Sequence, residues 1–417
     1  MMVVRPTRTL ALLVVVAGTV ACTAAVPSPS LRPPSPSGLA SARPTASPTA
    51  APSTSARPVA SAERAGPLGQ EIEIGTIDPA FTPSMSAFAS DGEAVYFGSA
   101  GRTPDPNDYA PDLWRQLPTA DAPELVWRNP LRNRTIGGIA GYLGTIVFVD
   151  MNADGERDWN LWLIPGPAAE PILLDSHPGD EDVSSLIPSV AAELHSVAWT
   201  AFDRGPSGPV SQLLVATAPD WTPTVLQERD AAVAELWLPF IADTSLAYCE
   251  LHYNADRTHD ERHVFLTDIF GEMPPRQLDT SGRATMPMIV NDGVIWKETD
   301  PGFNMFNWGH LVYWDRLADE IRPISSRLQP DVNFPTAGER FIAVTGYDSA
   351  IFEVYDTYRK MWRLIDRYDL AAGEVGSRAF IGGSLLVWLE LLPDVAPNGA
   401  VRYAFLPSAG ADKLLGD

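Results

Sequence analysis

Short apolar runs bounded by turn residues recur along the chain from about residue 90 almost to its end. One form appears seven times: a small or polar residue, two or three aliphatic residues, then usually an aromatic one. The copies are Ala94-Val-Tyr-Phe97, Thr145-Ile-Val-Phe148, Ser196-Val-Ala-Trp199, Ser245-Leu-Ala-Tyr248, Gly293-Val-Ile-Trp296, Phe341-Ile-Ala-Val344 and Ser384-Leu-Leu-Val-Trp388. Their last residues stand roughly 44 to 51 positions apart, a spacing that suits one four-stranded unit per repeat. Only the sixth copy lacks the aromatic.

Each run is followed by a second apolar stretch, as in Asp112-Leu-Trp114, Asn160-Leu-Trp-Leu163, His263-Val-Phe-Leu266, Leu311-Val-Tyr-Trp314 and Phe352-Glu-Val-Tyr355. A third comes next, as in Leu125-Val-Trp127, Pro171-Ile-Leu-Leu174 and Trp362-Arg-Leu-Ile365. A weaker stretch rich in small residues precedes the run, as in Ile136-Gly-Gly-Ile-Ala140, Ile187-Pro-Ser-Val190 and Thr285-Met-Pro-Met-Ile289. A single four-stranded sheet leaves one apolar face bare, so such units must stack on one another, and radial stacking of about seven closes a ring without long free edges. The pattern therefore predicts an all-β chain whose residues 68–417 form a seven-bladed β-propeller of four-stranded antiparallel blades, with the small-residue strands crowded round a central channel. Two segments are candidates to complete the last blade. Gln70-Glu-Ile-Glu-Ile-Gly75 alternates like a strand and could pair beside Arg402-Tyr-Ala-Phe405, or the tail Lys413-Leu-Leu415 could supply that edge.

The first 21 residues follow a different pattern: Arg5 and Arg8 lead into an apolar run from Leu10 to Ala21. At about 12 residues it is shorter than the roughly 20 a spanning helix needs, so it reads as a secretory signal, not a permanent span. Thr19-Val-Ala-Cys22 resembles the lipobox of bacterial lipoproteins, which implies cleavage before Cys22 and a diacylglycerol on its sulfur. An ordinary signal cut nearby, releasing a secreted protein, is the alternative. Residues 22–67 are Pro, Ser, Ala and Thr with scattered Arg, a composition that cannot bury a core and that proline stiffens into an extended stalk. The expected location is the outer face of the cell membrane, with the lipid as the membrane contact.

Composition agrees with the pattern: 39 Pro and 31 Gly beside 12 Trp, 11 Tyr and 15 Phe favour short aromatic strands and many turns. A formal charge of −22 makes nucleic acid an unsuitable partner, because non-specific affinity for it comes from Lys and Arg. The two cysteines, Cys22 and Cys249, leave no intrachain disulfide in a lipidated mature chain, and Cys249 within an apolar run reads as a buried hydrophobe.

Ser90-Asp-Gly-Glu-Ala-Val-Tyr-Phe97 with Asp112-Leu-Trp114, and Val264-Phe-Leu-Thr-Asp-Ile-Phe-Gly-Glu-Met-Pro-Pro-Arg-Gln-Leu278, resemble the blade motif of TolB-type and WD40-like bacterial propellers. The resemblance implies binding, since such domains serve as interaction platforms or as lids on enzymes, and it brings no catalytic residue with it.

For local chemistry the sharpest signal is Asp150-Met-Asn152-Ala-Asp154-Gly155-Glu-Arg-Asp158. Oxygen-bearing residues at alternate positions, a Gly at the sixth and a carboxylate at the ninth match the start of a calcium loop, so Asp150, Asn152, Asp154 and Asp158 are candidate calcium ligands. The twelfth position is Leu161, so the bidentate Glu is missing, and a solvated acidic hairpin is the alternative. His252, His259 and His263 crowd one hairpin of the fourth repeat, but their spacing fits no standard zinc site. Trp296, Trp314 and Trp388 fall at strand positions that core packing explains, whereas Trp308 lies in an Asn-rich aromatic loop suited to recognition. No Gly-x-Ser-x-Gly elbow is present, and Gly205-Pro-Ser-Gly208 is a turn. The expected protein is a monomeric binding module whose propeller face engages a protein, a peptide or an envelope component. A carboxylate-dependent enzyme of glycosidase or lyase type, working in the central channel, is the alternative, and it requires a carboxyl of raised pKa within a funnel.

Overall fold

The computed structural model describes residues 74–81, 85–100, 111–131, 133–152, 158–179, 187–254, 260–291, 293–299, 308–325, 332, 334–345, 351–368, 370–372, 375–391 and 399–406. Seven four-stranded antiparallel sheets account for its strands, and each strand ladder stays within its own sheet. The repeated run is the second strand of every sheet, from Val95–Ser99 in blade 1 through Thr145–Asn152, Ser196–Gly205, Ser245–Tyr253, Gly293–Thr299 and Phe341–Thr345 to Leu385–Leu391 in blade 7. Its last residue is wholly buried in all seven copies: Phe97, Phe148, Trp199, Tyr248, Trp296, Val344 and Trp388 are each 0 % exposed. This strand is covered on both faces by neighbouring blades, which is why it reads as a continuous apolar run instead of an alternating one.

The small-residue stretches form the inner strands, with one adjustment. The third inner strand is Val190–Glu193, so Ile187-Pro-Ser lies just ahead of it, not within it. Core side chains sort into layers between neighbouring blades. Val147, Trp159 and Leu161 of blade 2 pack with Trp199, Leu214 and Trp221 of blade 3. Phe341, Phe352 and Ile365 of blade 6 pack with Leu386 and Trp388 of blade 7. Blade 1 meets blade 2 in the same way through Tyr96, Leu113, Ile136 and Phe148. Each blade thus covers the face its neighbour cannot cover alone, and no single central core is needed.

The ring closes with the N-terminal strand. Ile74–Thr76 pairs antiparallel with Ala400–Phe405, in the register Ile74 to Ala404, Gly75 to Tyr403 and Thr76 to Arg402, and forms the outer edge of blade 7. Of the two closing segments the sequence allowed, this is the one used; Lys413-Leu-Leu415 lies outside the described residues. Turns joining inner to second strands, such as Leu143-Gly144 and Asp243-Thr244, lie on one face of the ring, here called upper. The far ends of the second strands mark the lower face. Because Phe405 pairs with Leu385 beside an upper turn and Ile74 pairs with Ala404, the chain enters the propeller at its upper rim.

Cys249 and Trp296, Trp314 and Trp388 are buried as expected, while Trp308 keeps 42 % of its surface exposed at the start of its strand. Lys297, on the second strand of blade 5, is also wholly buried, with its ammonium 5.8 Å from the centre of the Phe334 ring. Burial, with the nearby Arg262 charge as a second cause, brings its pKa down to about 7. An unfolded lysine titrates near 10.4, so between about pH 7 and pH 10 the unfolded chain holds more proton and stability rises with pH. Below about pH 7 both forms are protonated and the whole penalty stands. Lys297→Met is expected to flatten that rise. Urea midpoints measured near pH 7 and pH 9.5 test this, and an equal rise in variant and wild type would count against it.

Candidate functional site

The upper mouth of the channel is built from turn residues at equivalent places in successive blades. Tyr142 and Thr145 pair across a two-residue turn, as do Glu193 and Ser196, Ala242 and Ser245, and Val290 and Gly293. Such turns need left-handed backbone, which Asp and Asn tolerate better than most residues, and Asp243 at φ 52° and Asn291 at φ 40° supply it. The turns therefore bring Tyr142 of blade 2, Glu193 of blade 3, Asp243 of blade 4, Asn291 of blade 5 and Glu339 of blade 6 to the rim of one cavity of about 400 Å³. The Tyr142 hydroxyl donates to Glu339 Oε1, linking blade 2 to blade 6 across the mouth. Beneath lies a narrower space of about 210 Å³ whose wall includes Ala140, Ala191, Ala192, Ile241, Ala337 and Ile381.

Three carboxylates share this small space, and two of them act on the third. Burial pushes the Glu193 carboxyl above its usual range, and the charges of Asp243 and Glu339 push the same way, against the opposing Leu194 N–H at 3.1 Å. The Tyr142 phenol is raised as well, first by burial and then by its hydrogen bond to Glu339. Exposed Arg316 stands at the rim as the basic residue lining this cavity among the described residues. The arrangement is an acidic funnel with apolar walls below. It can hold a cationic group, and the upward shift at Glu193 suits that carboxyl to proton transfer.

The calcium candidates lie elsewhere, at the lower end of blade 2. Asp150 is buried and accepts from Arg134 Nε at 3.1 Å, Asn129 Nδ2 at 3.0 Å and Asn160 Nδ2 at 3.3 Å. Asp158 accepts from the same guanidinium at 2.6 Å. The fold thus brings Asp150 and Asp158 together, with Arg134 between them as the cation. Asn152 ends the adjacent strand, and Asp154 lies outside the described residues. Calcium at this loop finds no support in that arrangement. Among the described residues no group of three or more His, Cys, Asp or Glu is placed to hold a metal.

His252 and His263 do meet, with ring centres 5.7 Å apart, because Glu250 pairs with His263 and His252 with Glu261, which puts all four on one sheet face. Each imidazole is taken up by a carboxylate, His252 by Glu250 at 3.0 Å and His263 by buried Asp279 at 3.2 Å. His259 lies outside the described residues.

The channel-mouth residues carried no local motif. They become visible only when the seven repeats are written in register, since Tyr142, Glu193, Asp243, Asn291 and Glu339 all fall two or three positions before a repeated run.

The solved structures similar to this chain include a β-propeller domain. An oligogalacturonate lyase in complex with manganese matches with a TM-score of 0.52 at 14 % identity, over 82 % of this chain and 95 % of that one. The β-propeller domain of the Trilobed protease from Pyrococcus furiosus matches with a TM-score of 0.55 at 9 % identity, over 78 % and 93 %. An acylaminoacyl peptidase matches with a TM-score of 0.54 at 10 % identity, over 80 % of this chain and 53 % of the peptidase. At these identities the likeness is one of fold. No protein-family model matches the sequence, and no curated protein matches it.

Proposed function

We propose that the protein is an extracytoplasmic binding module, tethered to the outer face of the cell membrane through a lipid on Cys22 and the stalk of residues 22–67, whose acidic channel mouth takes a cationic group of a protein, peptide or envelope component. The observation that carries this reading is the convergence of Glu193, Asp243 and Glu339 from three blades on one cavity of about 400 Å³. Like charges gathered this closely repel, and a bound ammonium or guanidinium relieves the repulsion where water screens it poorly. Ile74 starts the closing strand at the upper rim, on the same side as the mouth, which supports a tether that reaches the propeller from that side.

Calorimetric titration of the mature chain with tetralysine tests the binding. Glu193→Gln combined with Glu339→Gln is expected to weaken it at least tenfold, and binding should fall with added salt. Equal affinity in the double variant would sink the reading. Acyl groups on Cys22 in the mass spectrum of the mature N-terminus are the expected sign of the tether.

A second reading, a lyase or glycosidase, is favoured by one feature: Glu193 holds its proton more firmly than an ordinary carboxyl and lies beside Tyr142 in a funnel. Absorbance of a newly formed carbon–carbon double bond during incubation with uronate polysaccharides, lost in Glu193→Gln, would favour that reading over pure binding.

A further inference from the structure

The channel mouth carries more negative charge than its own lining balances: among the described residues Glu193, Asp243 and Glu339 border it with one arginine, Arg316. The chain contains a segment of the opposite sign. Residues 22–62 hold Arg32, Arg43 and Arg57 and no Asp, Glu or Lys, in a chain of formal charge −22. Each of these arginines sits in the same short motif: Ser30-Leu-Arg-Pro33, Ser41-Ala-Arg-Pro44 and Ser55-Ala-Arg-Pro58. The motifs lie in the stalk, outside the described residues.

Proline keeps the residue before it out of helical backbone, so each arginine extends from a chain with fewer conformations to lose on binding. A guanidinium offers five N–H donors in a planar fork, which suits carboxylate acceptors. Arg57 is flanked by Ser55, Ala56, Pro58 and Val59, so no bulky neighbour bars its entry to a cavity of about 400 Å³.

Reach decides among the three arginines. Ile74 lies on the outermost of the four strands of blade 7, at the upper rim. Strands about 4.8 Å apart put the inner strand of that blade about 15 Å further in. Arg57 precedes Ile74 by 17 residues. A flexible chain of that length spans about 20–25 Å and a fully extended polyproline one about 50 Å, so Arg57 reaches the mouth without strain. Cys22 stands 35 positions before Arg57, which leaves chain for the tether. A short linker holds its ligand at an effective concentration on the order of millimolar, enough to fill even a weak site.

We propose that the stalk is a built-in ligand of the channel mouth: Arg57 of the same molecule is held there by Glu193, Asp243 and Glu339, and an outside cationic partner binds by displacing it. This rests on the reading of the mouth as a cation site.

Saturation-transfer NMR on the mature chain tests it, with a peptide of residues 50–62, blocked at both ends, as the probe. Transfer to the peptide is expected in a stalk variant carrying Arg32→Gln, Arg43→Gln and Arg57→Gln, substitutions that lie outside the propeller. Transfer should be at least threefold weaker with the wild type, whose own stalk competes, and should vanish when Glu193→Gln and Glu339→Gln are added to the stalk variant. Equal transfer to wild type and stalk variant would overturn the proposal. So would transfer that survives the two mouth substitutions, or equal transfer to a peptide carrying Arg57→Gln. Tetralysine separates this failure from failure of the cation site. If tetralysine binds the stalk variant and the peptide does not, the built-in ligand is excluded and the cation site stands; if neither binds, both fall.

Discussion

Asp356→Ala is expected to destabilise the propeller by about 3–5 kcal/mol, the range found when one member of a buried ion pair is removed. Asp356 is wholly buried at the upper end of blade 6 and holds two guanidinium groups at once. Arg340 donates from Nε at 2.9 Å and from a terminal nitrogen at 2.8 Å, and Arg363 donates at 2.6 Å. The Tyr358 and Arg359 N–H groups, at 3.1 and 3.2 Å, close the turn onto the same carboxylate. Both guanidinium groups also lie over the Phe341 ring, at 4.9 and 5.7 Å. Without the carboxylate, two arginines with side chains only 5 % and 4 % exposed lose the charge they share. Asp356→Asn, which keeps one acceptor oxygen, should cost less than Asp356→Ala.

The same site sets an acid limit. Burial alone would raise the Asp356 pKa, but the Arg340 hydrogen bonds, the Arg359 N–H and the two arginine charges outweigh it and hold the carboxyl below its usual value. A folded pKa below the unfolded one, near 3.9, means that the stabilisation is fully present above about pH 4 and is lost as pH falls through the folded value. Urea midpoints for wild type and Asp356→Ala should therefore draw closer as pH falls below about 4. A constant gap throughout would show that the effect is not carried by the charge.

This network bears on what the sequence could reveal. Blade 6 is the one whose repeated run ends in Val344 instead of an aromatic ring, and nothing local announces that Arg340, Asp356 and Arg363 meet. Strands buried on both faces were legible because burial on both faces leaves an apolar run that stands out without knowledge of its neighbours. Inner strands were less so. Ala191 and Ala192 suit close approach at the channel, and small residues look alike in strand and loop, so the pattern Ile187-Pro-Ser-Val190 falls a few residues ahead of the strand Val190–Glu193.

Candidate chemistry was legible in inverse proportion to its dispersal. Asp150 to Asp158 and the three histidines stand out because they lie close in sequence, yet Asp150 and Asp158 are held by Arg134, and His252 and His263 by Glu250 and Asp279. Tyr142, Glu193, Asp243 and Glu339 lie roughly 50 residues or more apart and share only a position in the repeat. A ring architecture turns that shared position into a shared place.

Phe81→Ala is expected to cost about 3–5 kcal/mol, the usual range for a buried aromatic in a core, and to act on ring closure in particular. The closing strand Ile74–Thr76 is three residues long and could not hold the ring by its own hydrogen bonds. Ile77 and Phe81, just beyond its end, supply the grip. The Ile77 N–H continues the pairing to Val401 O at 3.0 Å, and Ile77, 0 % exposed, and Phe81, 3 % exposed, enter the apolar layer between blades 7 and 1. Phe81 meets Trp114 edge-on at 4.9 Å and Phe97 at 5.8 Å, and its carbonyl accepts from Ser99 Oγ at 3.0 Å. One short segment is therefore strand to blade 7 and core to blade 1, which is why Ile74–Thr76 completes the ring even though its pairing is so brief. Removing the ring of Phe81 should loosen both blades at the joint while distant blades keep their packing. Hydrogen exchange should then quicken first in Ile74–Thr76, Ala400–Phe405 and Val95–Ser99, with Ser245–Tyr253 on the far side of the ring unchanged under native conditions. Uniform quickening in all seven blades would mean that closure is not a separable unit and that the ring opens only by unfolding as a whole.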